Sequence, residues 1–433
     1  MVVRKCRPQE QTVSMSHVPE RLTYAIDLRA VGTSAANIAG MDALLQSFVD
    51  QQKVSSVVGL VAKGGNVVYN QAFGWKDLAQ HSPATVDDYY VLFSQTKAIV
   101  TVAFMTLVEQ GVVAIDDAVS NYFPAIPDRV VTAVHADGSY ETRPVASPMT
   151  FVHLMSHTSG LNAGLVNELR WAEMGQTDAP AGFGGAIPAT IPSGQHSFGG
   201  NDAAKYLEEE MLALAQYPLG FEPGSDWNYH VSSNMLAYLI ERISGTSLRD
   251  YVKATVLEPL GMNDTDWYYA PSALDRFVKA YSVVDGVLEP ASNMYSLGTI
   301  SREQTYCEGG IGLNGPIGDY AKFCQMLLNH GQFNGHRILT PETVALMTTV
   351  PRLPAINSGD PGFQFGLGFE LYNEHKKPVP AVSNRAFGWG GMLGTEYIID
   401  PETDMFALFY INMYQHEALY PVFLRQAYGM FAL

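Results

Sequence analysis

Cysteine is almost missing from this chain. Cys6, Cys307 and Cys324 are the three in 433 residues, and none stands in a Cys-x-x-Cys spacing. That excludes a framework of paired disulfides, and the thiols read as reduced and structural rather than redox-active or metal-binding. Charge is scarce too. Asp, Glu, Lys and Arg make up 16% of the chain, against about 25% in ordinary globular proteins, which excludes a disordered chain. Basic residues are the scarcer sign: 26 Lys and Arg face 43 Asp and Glu, a net charge of −17. Such a surface repels phosphate backbones and anionic lipid, so neither nucleic acid nor a membrane is expected as a partner. No run approaches the roughly 20 apolar residues of a spanning helix. The basic cluster Arg4-Lys5-Cys6-Arg7 is followed by no apolar segment before Glu20. No secretory signal is read there, and a cytoplasmic protein is expected.

What is present suits a packed globule. Apolar residues supply 47% of the chain, and its length predicts two or three domains. Residues 1–35 are polar and weakly patterned, and read as an arm or a loosely packed lead-in. Leu44, Leu45, Phe48 and Val49 recur at helical spacing, predicting a helix over 38–52. Val57–Ala62 and Val67–Phe73 flank Gly64-Gly65-Asn66, which reads as a hairpin. Ala98–Val108 carries no charge and predicts a buried helix, and Thr150 is placed to cap a short helix ending near Gly160. Residues 178–200, dense in Gly, Pro, Ala and Ser, read as a lid loop. Strands return with Glu396–Ile399 and Met405–Asn412 around Pro401–Asp404, and Glu417–Phe431 predicts a closing helix. Strands at both ends with helices between them predict one sheet assembled from the two ends of the chain. The expected units are 36–93 and 300–433 as two parts of an α/β domain, with a mainly helical domain over 94–299.

A serine hydroxyl needs a base beside it to act as a nucleophile. Of the eleven lysines, only Lys97 has a serine three residues earlier, in Ser94-Gln95-Thr96-Lys97. On a helix, that spacing puts hydroxyl and amine on one face. Ser94 would sit at the helix N-terminus, and Lys97 opens the uncharged stretch, where burial lowers its pKa toward a free amine. A serine cap beside a snorkelling lysine reads equally well from the pattern alone. Pro223-Gly224-Ser225-Asp226-Trp227-Asn228-Tyr229 could present Tyr229, one of 23 tyrosines, into a cleft; a half-buried core tyrosine is the bland reading. Gly388-Trp389-Gly390-Gly391-Met392-Leu393-Gly394 has four glycines in seven residues, which lets backbone N–H groups approach a ligand or simply makes a turn.

In that order, the three segments resemble the serine β-lactamase and penicillin-recognising superfamily. The stretches His153–Leu161 and Gly309-Gly310-Ile311-Gly312-Leu313 resemble its class C-like branch, and the whole is most similar to the family VIII carboxylesterases and related acyl transferases. The resemblance implies an α+β, β-lactamase-like fold: an antiparallel sheet flanked by terminal helices, plus a mainly helical domain. It implies Ser94, Lys97 and Tyr229 as the catalytic set, with Lys97 coupled to Tyr229. It also implies an oxyanion site at the backbone N–H groups of Ser94 and Met392, and substrate contact at Trp389, Gly390 and Gly391. Two departures bear on substrate. Tyr229-His230-Val231 stands where class C enzymes carry Tyr-x-Asn, and Trp389-Gly390-Gly391 where they carry Lys-Thr-Gly. The missing amide and cation favour a small or medium uncharged ester over a β-lactam or peptide, although Arg385 is near enough in sequence to restore a cation. The expected activity is that of a serine carboxylesterase working through an acyl-enzyme on a small-molecule ester. A β-lactamase, a D-amino-acid peptidase or an acyl transferase is the alternative.

Other signals are weak. Gly310–Gly315 fits G-x-G-x-x-G but follows polar residues and runs into Pro316, so no nucleotide site is expected. His153 and His157 lack the intervening Glu of a zinc helix and read as a capping and core pair. No metal or cofactor is expected. No Gly-x-Ser-x-Gly occurs, which disfavours an α/β-hydrolase. Oligomeric state is left open.

Overall fold

In the computed structural model the described residues are 22–25, 27–135, 139–162, 164, 165, 169, 206–291, 306–353, 360, 362–414 and 418–431. The expected lid at 178–200 lies outside them, as does Cys6; Cys307 and Cys324 are buried free thiols.

Eight strands form the main sheet. In chain order they are Thr23–Tyr24 (β1), Ser56–Lys63 (β2), Asn66–Asp77 (β3), Ser82–Pro83 (β4), Glu370–Leu371 (β5), Phe387–Gly391 (β6), Thr395–Asp400 (β7) and Met405–Tyr410 (β8). Their spatial order is β1-β3-β2-β8-β7-β6-β5, with β4 against β3. All pairings are antiparallel except β1 with β3. The sheet is thus assembled from both ends of the chain, as the sequence predicts. The β2–β3 turn works because Gly64 and Gly65 adopt φ of 57° and 74°, matching a primed turn that follows the strand twist. Of the expected arm or loosely packed lead-in, Thr23 and Tyr24 pack as an exposed edge strand beside Asn66 and Val67.

Helices cover both faces. Ala35–Asp50 (α1), capped by Ser34, packs beside Tyr420–Gly429, the closing helix, which starts later than Glu417. Met41, Leu45, Phe423 and Leu424 meet Val57, Val61, Ala407 and Phe409 on that face. The alternate residues Val58, Leu60, Ala62, Phe406 and Leu408 face the larger core on the other side. Burial on both faces explains why β2 and β8 read as continuous apolar runs.

That larger core holds Gln95–Glu109 (α2), buried from Gln95 to Leu107. Around it lie Phe151–Met155 (α3), Leu207–Leu214 (α4), Val231–Ser244 (α5) and Ile317–Leu328 (α6). α5 packs on α2, α3 and α4, while α6 packs on β2, β7 and β8. Thr150 caps α3 in a capping box with His153, but the helix ends at Met155 rather than near Gly160. His157 turns into the left-handed region at φ 61° and breaks it.

Candidate active site

A strained corner presents Ser94. The chain leaves the short strand Tyr90–Val91, and Phe93 takes a φ of 46°, a region bulky residues seldom enter. Ser94 then opens α2 as its N-cap residue, yet its hydroxyl caps no backbone amide. The hydroxyl turns to Lys97 instead, whose Nζ lies 3.0 Å from Ser94 Oγ. Lys97 Nζ also donates to the Gly310 carbonyl at 2.8 Å and lies 3.2 Å from His230 Nδ1. Only 2% of Lys97 is exposed. Burial among apolar residues pulls its pKa down to about 7, with the Glu308 charge opposing. The amine is therefore largely uncharged just above neutral pH.

A polar floor fixes the amine from behind. His230 Nε2 faces Glu308 Oε1 at 3.5 Å. Asn234, one turn along α5 from His230, donates to the same oxygen at 3.3 Å and accepts from the Gly310 N–H at 2.9 Å. Burial, reinforced by Glu210, pushes the Glu308 carboxyl well above the usual range. Burial likewise raises Glu210 to about 7, and the Tyr306 hydroxyl donates to it. His230 has a φ of 99°, so it joins Phe93 and His157 as a non-glycine residue with positive φ at this site.

Tyr229 closes the cluster. Its hydroxyl accepts from Trp389 Nε1 at 2.6 Å and is also hydrogen-bonded to Ser94. Its ring centroid lies 4.5 Å from Lys97 Nζ and 4.7 Å from the His157 ring. Burial lifts the phenol well above its ordinary pKa, so it is a neutral hydroxyl at any ordinary pH. Burial first, then Lys97 and His230, hold His157 well below the usual imidazole value, so it is neutral.

A cleft of about 410 Å³ opens over Ser94. Six of the residues expected from sequence line it, namely Ser94, Tyr229, Trp389, Gly390, Gly391 and Met392, while Lys97 sits behind Ser94. The backbone N–H groups of Ser94 and Met392 have no backbone acceptor among the described residues. The expected coupling of Lys97 to Tyr229 takes an indirect form: both reach the Ser94 hydroxyl, and the amine lies over the phenol ring. Arg385 does not supply a cation, because it lies in a neighbouring recess with Asn384 and Ala386. Sequence reasoning missed the floor of His230, Asn234 and Glu308, and the two carboxylates Glu370 and Glu396 that line the cleft. His230 was adjacent to a singled-out tyrosine, but nothing in its spacing marked it. Among the described residues, no group of three or more His, Cys, Asp or Glu is arranged to hold a metal ion. No helix among them is long and apolar enough to cross a membrane.

Residues 41–420 match the family model described as Beta-lactamase. Protein Rv1367c of Mycobacterium tuberculosis is 27% identical, over 87% of this chain and 90% of its own. Esterase EstB of Burkholderia gladioli is 26% identical, over 90% of this chain and 94% of its own. The structure of "EstCE1, a hydrolase with promiscuous acyltransferase activity" superposes with a TM-score of 0.71 at 24% identity, covering 92% of this chain and 99% of that one. With the family model spanning most of its length, the chain belongs to the beta-lactamase family and is a serine hydrolase of that family.

Proposed function

We propose that the protein is a carboxylesterase that hydrolyses small or medium carboxylic esters lacking negative charge, through an acyl-enzyme on Ser94. The observation that carries this reading is the buried Lys97 amine, 3.0 Å from Ser94 Oγ, whose pKa burial pulls down to about 7. In the neutral amine, one N–H serves the Gly310 carbonyl, the other serves His230 Nδ1, and the lone pair is left for the Ser94 proton.

Ser94 Oγ attacks the ester carbonyl and its proton passes to Lys97. The oxyanion that forms lies between the N–H groups of Ser94 and Met392, each such donor typically lowering the barrier by roughly 3–4 kcal/mol. As the carbon–oxygen bond breaks, the leaving alkoxide takes the Tyr229 proton, and Tyr229 recovers one from the Lys97 ammonium. Water then attacks the acyl-enzyme with the same groups in reverse, releasing the acid and restoring Ser94. EstB, an esterase by name, supports this direction of chemistry. Among the described residues the cleft is lined by two carboxylates and no Lys or Arg, which disfavours the carboxylate-bearing β-lactams and peptides.

The test is turnover of p-nitrophenyl acetate and butyrate against nitrocefin, with an alcohol acceptor added in a parallel assay. Ester hydrolysis that Ser94→Ala abolishes in a folded protein, with an acyl adduct on the wild type by intact mass, is expected. Wild-type rates in Ser94→Ala would end the mechanism. Nitrocefin turnover faster than ester turnover would transfer the reading to a β-lactamase, and product dominated by the transferred acyl group would transfer it to an acyl transferase.

A further inference from the structure

Two acids, Glu370 and Glu396, line the cleft, and no Lys or Arg does so among the described residues. Glu396 on β7 stands opposite Gly390 on β6 in the ladder. A Cβ built on Gly390 would lie 2.0 Å from Glu396 Oε2, so the carboxylate fills the volume that a side chain at position 390 would take. The bare glycine is what admits this carboxylate to the cleft. Glu370, the second acid there, is engaged, with Lys376 Nζ 3.5 Å from its Oε1. Glu396 has no hydrogen-bond or ion-pair partner among the described residues. Aromatic side chains of Trp389, Tyr229, Tyr372 and Phe93 line the same cleft. A carboxylate without a partner, walled by π systems, is the chemistry that holds a substituted ammonium ion.

We propose that the Glu396 end of the cleft is a cation subsite, and that the preferred substrates are esters carrying an alkylammonium group, its nitrogen against Glu396 while the carbonyl meets Ser94. The proposal rests on the esterase reading for its substrate, and it extends the expectation of an uncharged ester to the opposite charge. Burial, with the Glu370 charge second, raises the empty Glu396 carboxyl to about 8, as a missing counter-ion would. A bound ammonium supplies that ion.

The experiment uses a pair matched in shape and differing in charge: acetylthiocholine and its carbon isostere, 3,3-dimethylbutyl thioacetate. The full-length wild type should favour the cationic ester in kcat/KM by about tenfold or more. The ratio should fall to within about twofold in Glu396→Gln. Gly390→Ala, which drives the carboxylate from its place, should lower the ratio as well. Choline binding, followed by calorimetry in parallel against 3,3-dimethylbutanol, should be tighter for the wild type and lost in Glu396→Gln. Equal kcat/KM for the two esters, or a preference that survives Glu396→Gln, overturns the subsite while leaving the esterase standing. If neither ester turns over, p-nitrophenyl acetate decides the esterase reading and choline binding decides the subsite alone: binding abolished by Glu396→Gln upholds it, and no binding to the wild type, or binding that survives Glu396→Gln, overturns it.

Discussion

Trp389 Nε1 donates to the Tyr229 hydroxyl at 2.6 Å, so a residue of the sheet steers a residue that precedes a helix on the far side of the cleft. Trp389 was expected only as a wall for substrate; it also aims the phenol. Trp389→Phe keeps an aromatic ring and removes the donor. A lost hydrogen bond of about 0.5–1.5 kcal/mol predicts a kcat roughly 2- to 13-fold lower, with KM for a small acetate ester changed less. Steady-state kinetics on p-nitrophenyl acetate measure both, and an unchanged kcat would mean that the phenol needs no such guide.

Rate and stability should both carry the signature of Lys97. With its pKa about 7, the amine is free above neutral, so kcat/KM for a neutral ester should rise with pH through a midpoint near 7 and then level. An unfolded lysine titrates near about 10.4. Between these two values the unfolded chain holds a proton that the folded chain has lost, so folding gains stability as pH rises from about 7 toward 10. Below 7 the full penalty of the buried amine applies. The Tm of Lys97→Met relative to wild type should therefore be most favourable near pH 6 and decline toward pH 10. Thermal melts at four or five pH values test it; a difference that is flat with pH contradicts a depressed lysine.

Ser94, Lys97 and Tyr229 share one hydroxyl, which makes them a unit. Lys97→Ala and Tyr229→Phe should each cost several orders of magnitude in kcat. The double variant should be hardly worse than the poorer single one. Losses that simply multiply would show two independent roles.

Asn234 ties the Gly310 amide to the Glu308 carboxyl, and the Gly310 carbonyl in turn holds Lys97. Asn234→Leu leaves the Gly310 N–H buried and unpaired, at about 1–3 kcal/mol, and leaves Glu308 with His230 alone. Urea unfolding should show that loss, and kcat should fall although residue 234 is not among those lining the cleft. Full activity in a destabilised Asn234→Leu protein would confine the floor to a structural role.

The legible parts of this molecule are the local ones. A Gly-Gly turn between apolar runs, an uncharged stretch and a serine three residues before a lysine are short-range patterns, and the hairpin, α2 and the Ser94–Lys97 pair follow from them. The floor under Lys97 was illegible because Glu308 reaches His230 and Asn234 only after the segment ahead of α6 converges on α5. Glu396 was hidden differently. Alternation along β7 placed it on one face of the sheet, yet only the register with Gly390 shows that this face opens on the cleft. The early end of α3 came from a left-handed His157, which helix propensity does not foresee.

The central rungs of the sheet set Leu60 against Leu408 and Lys63 against Met405. A ribosome making this chain must therefore finish almost all of it before β2 finds its neighbour. At about 5–20 residues per second, an apolar hairpin edge waits on the order of tens of seconds for its partner. Slow translation or scarce holdase chaperones would lengthen that aggregation-prone interval. A circular permutant that delivers β8 ahead of β2 would remove it.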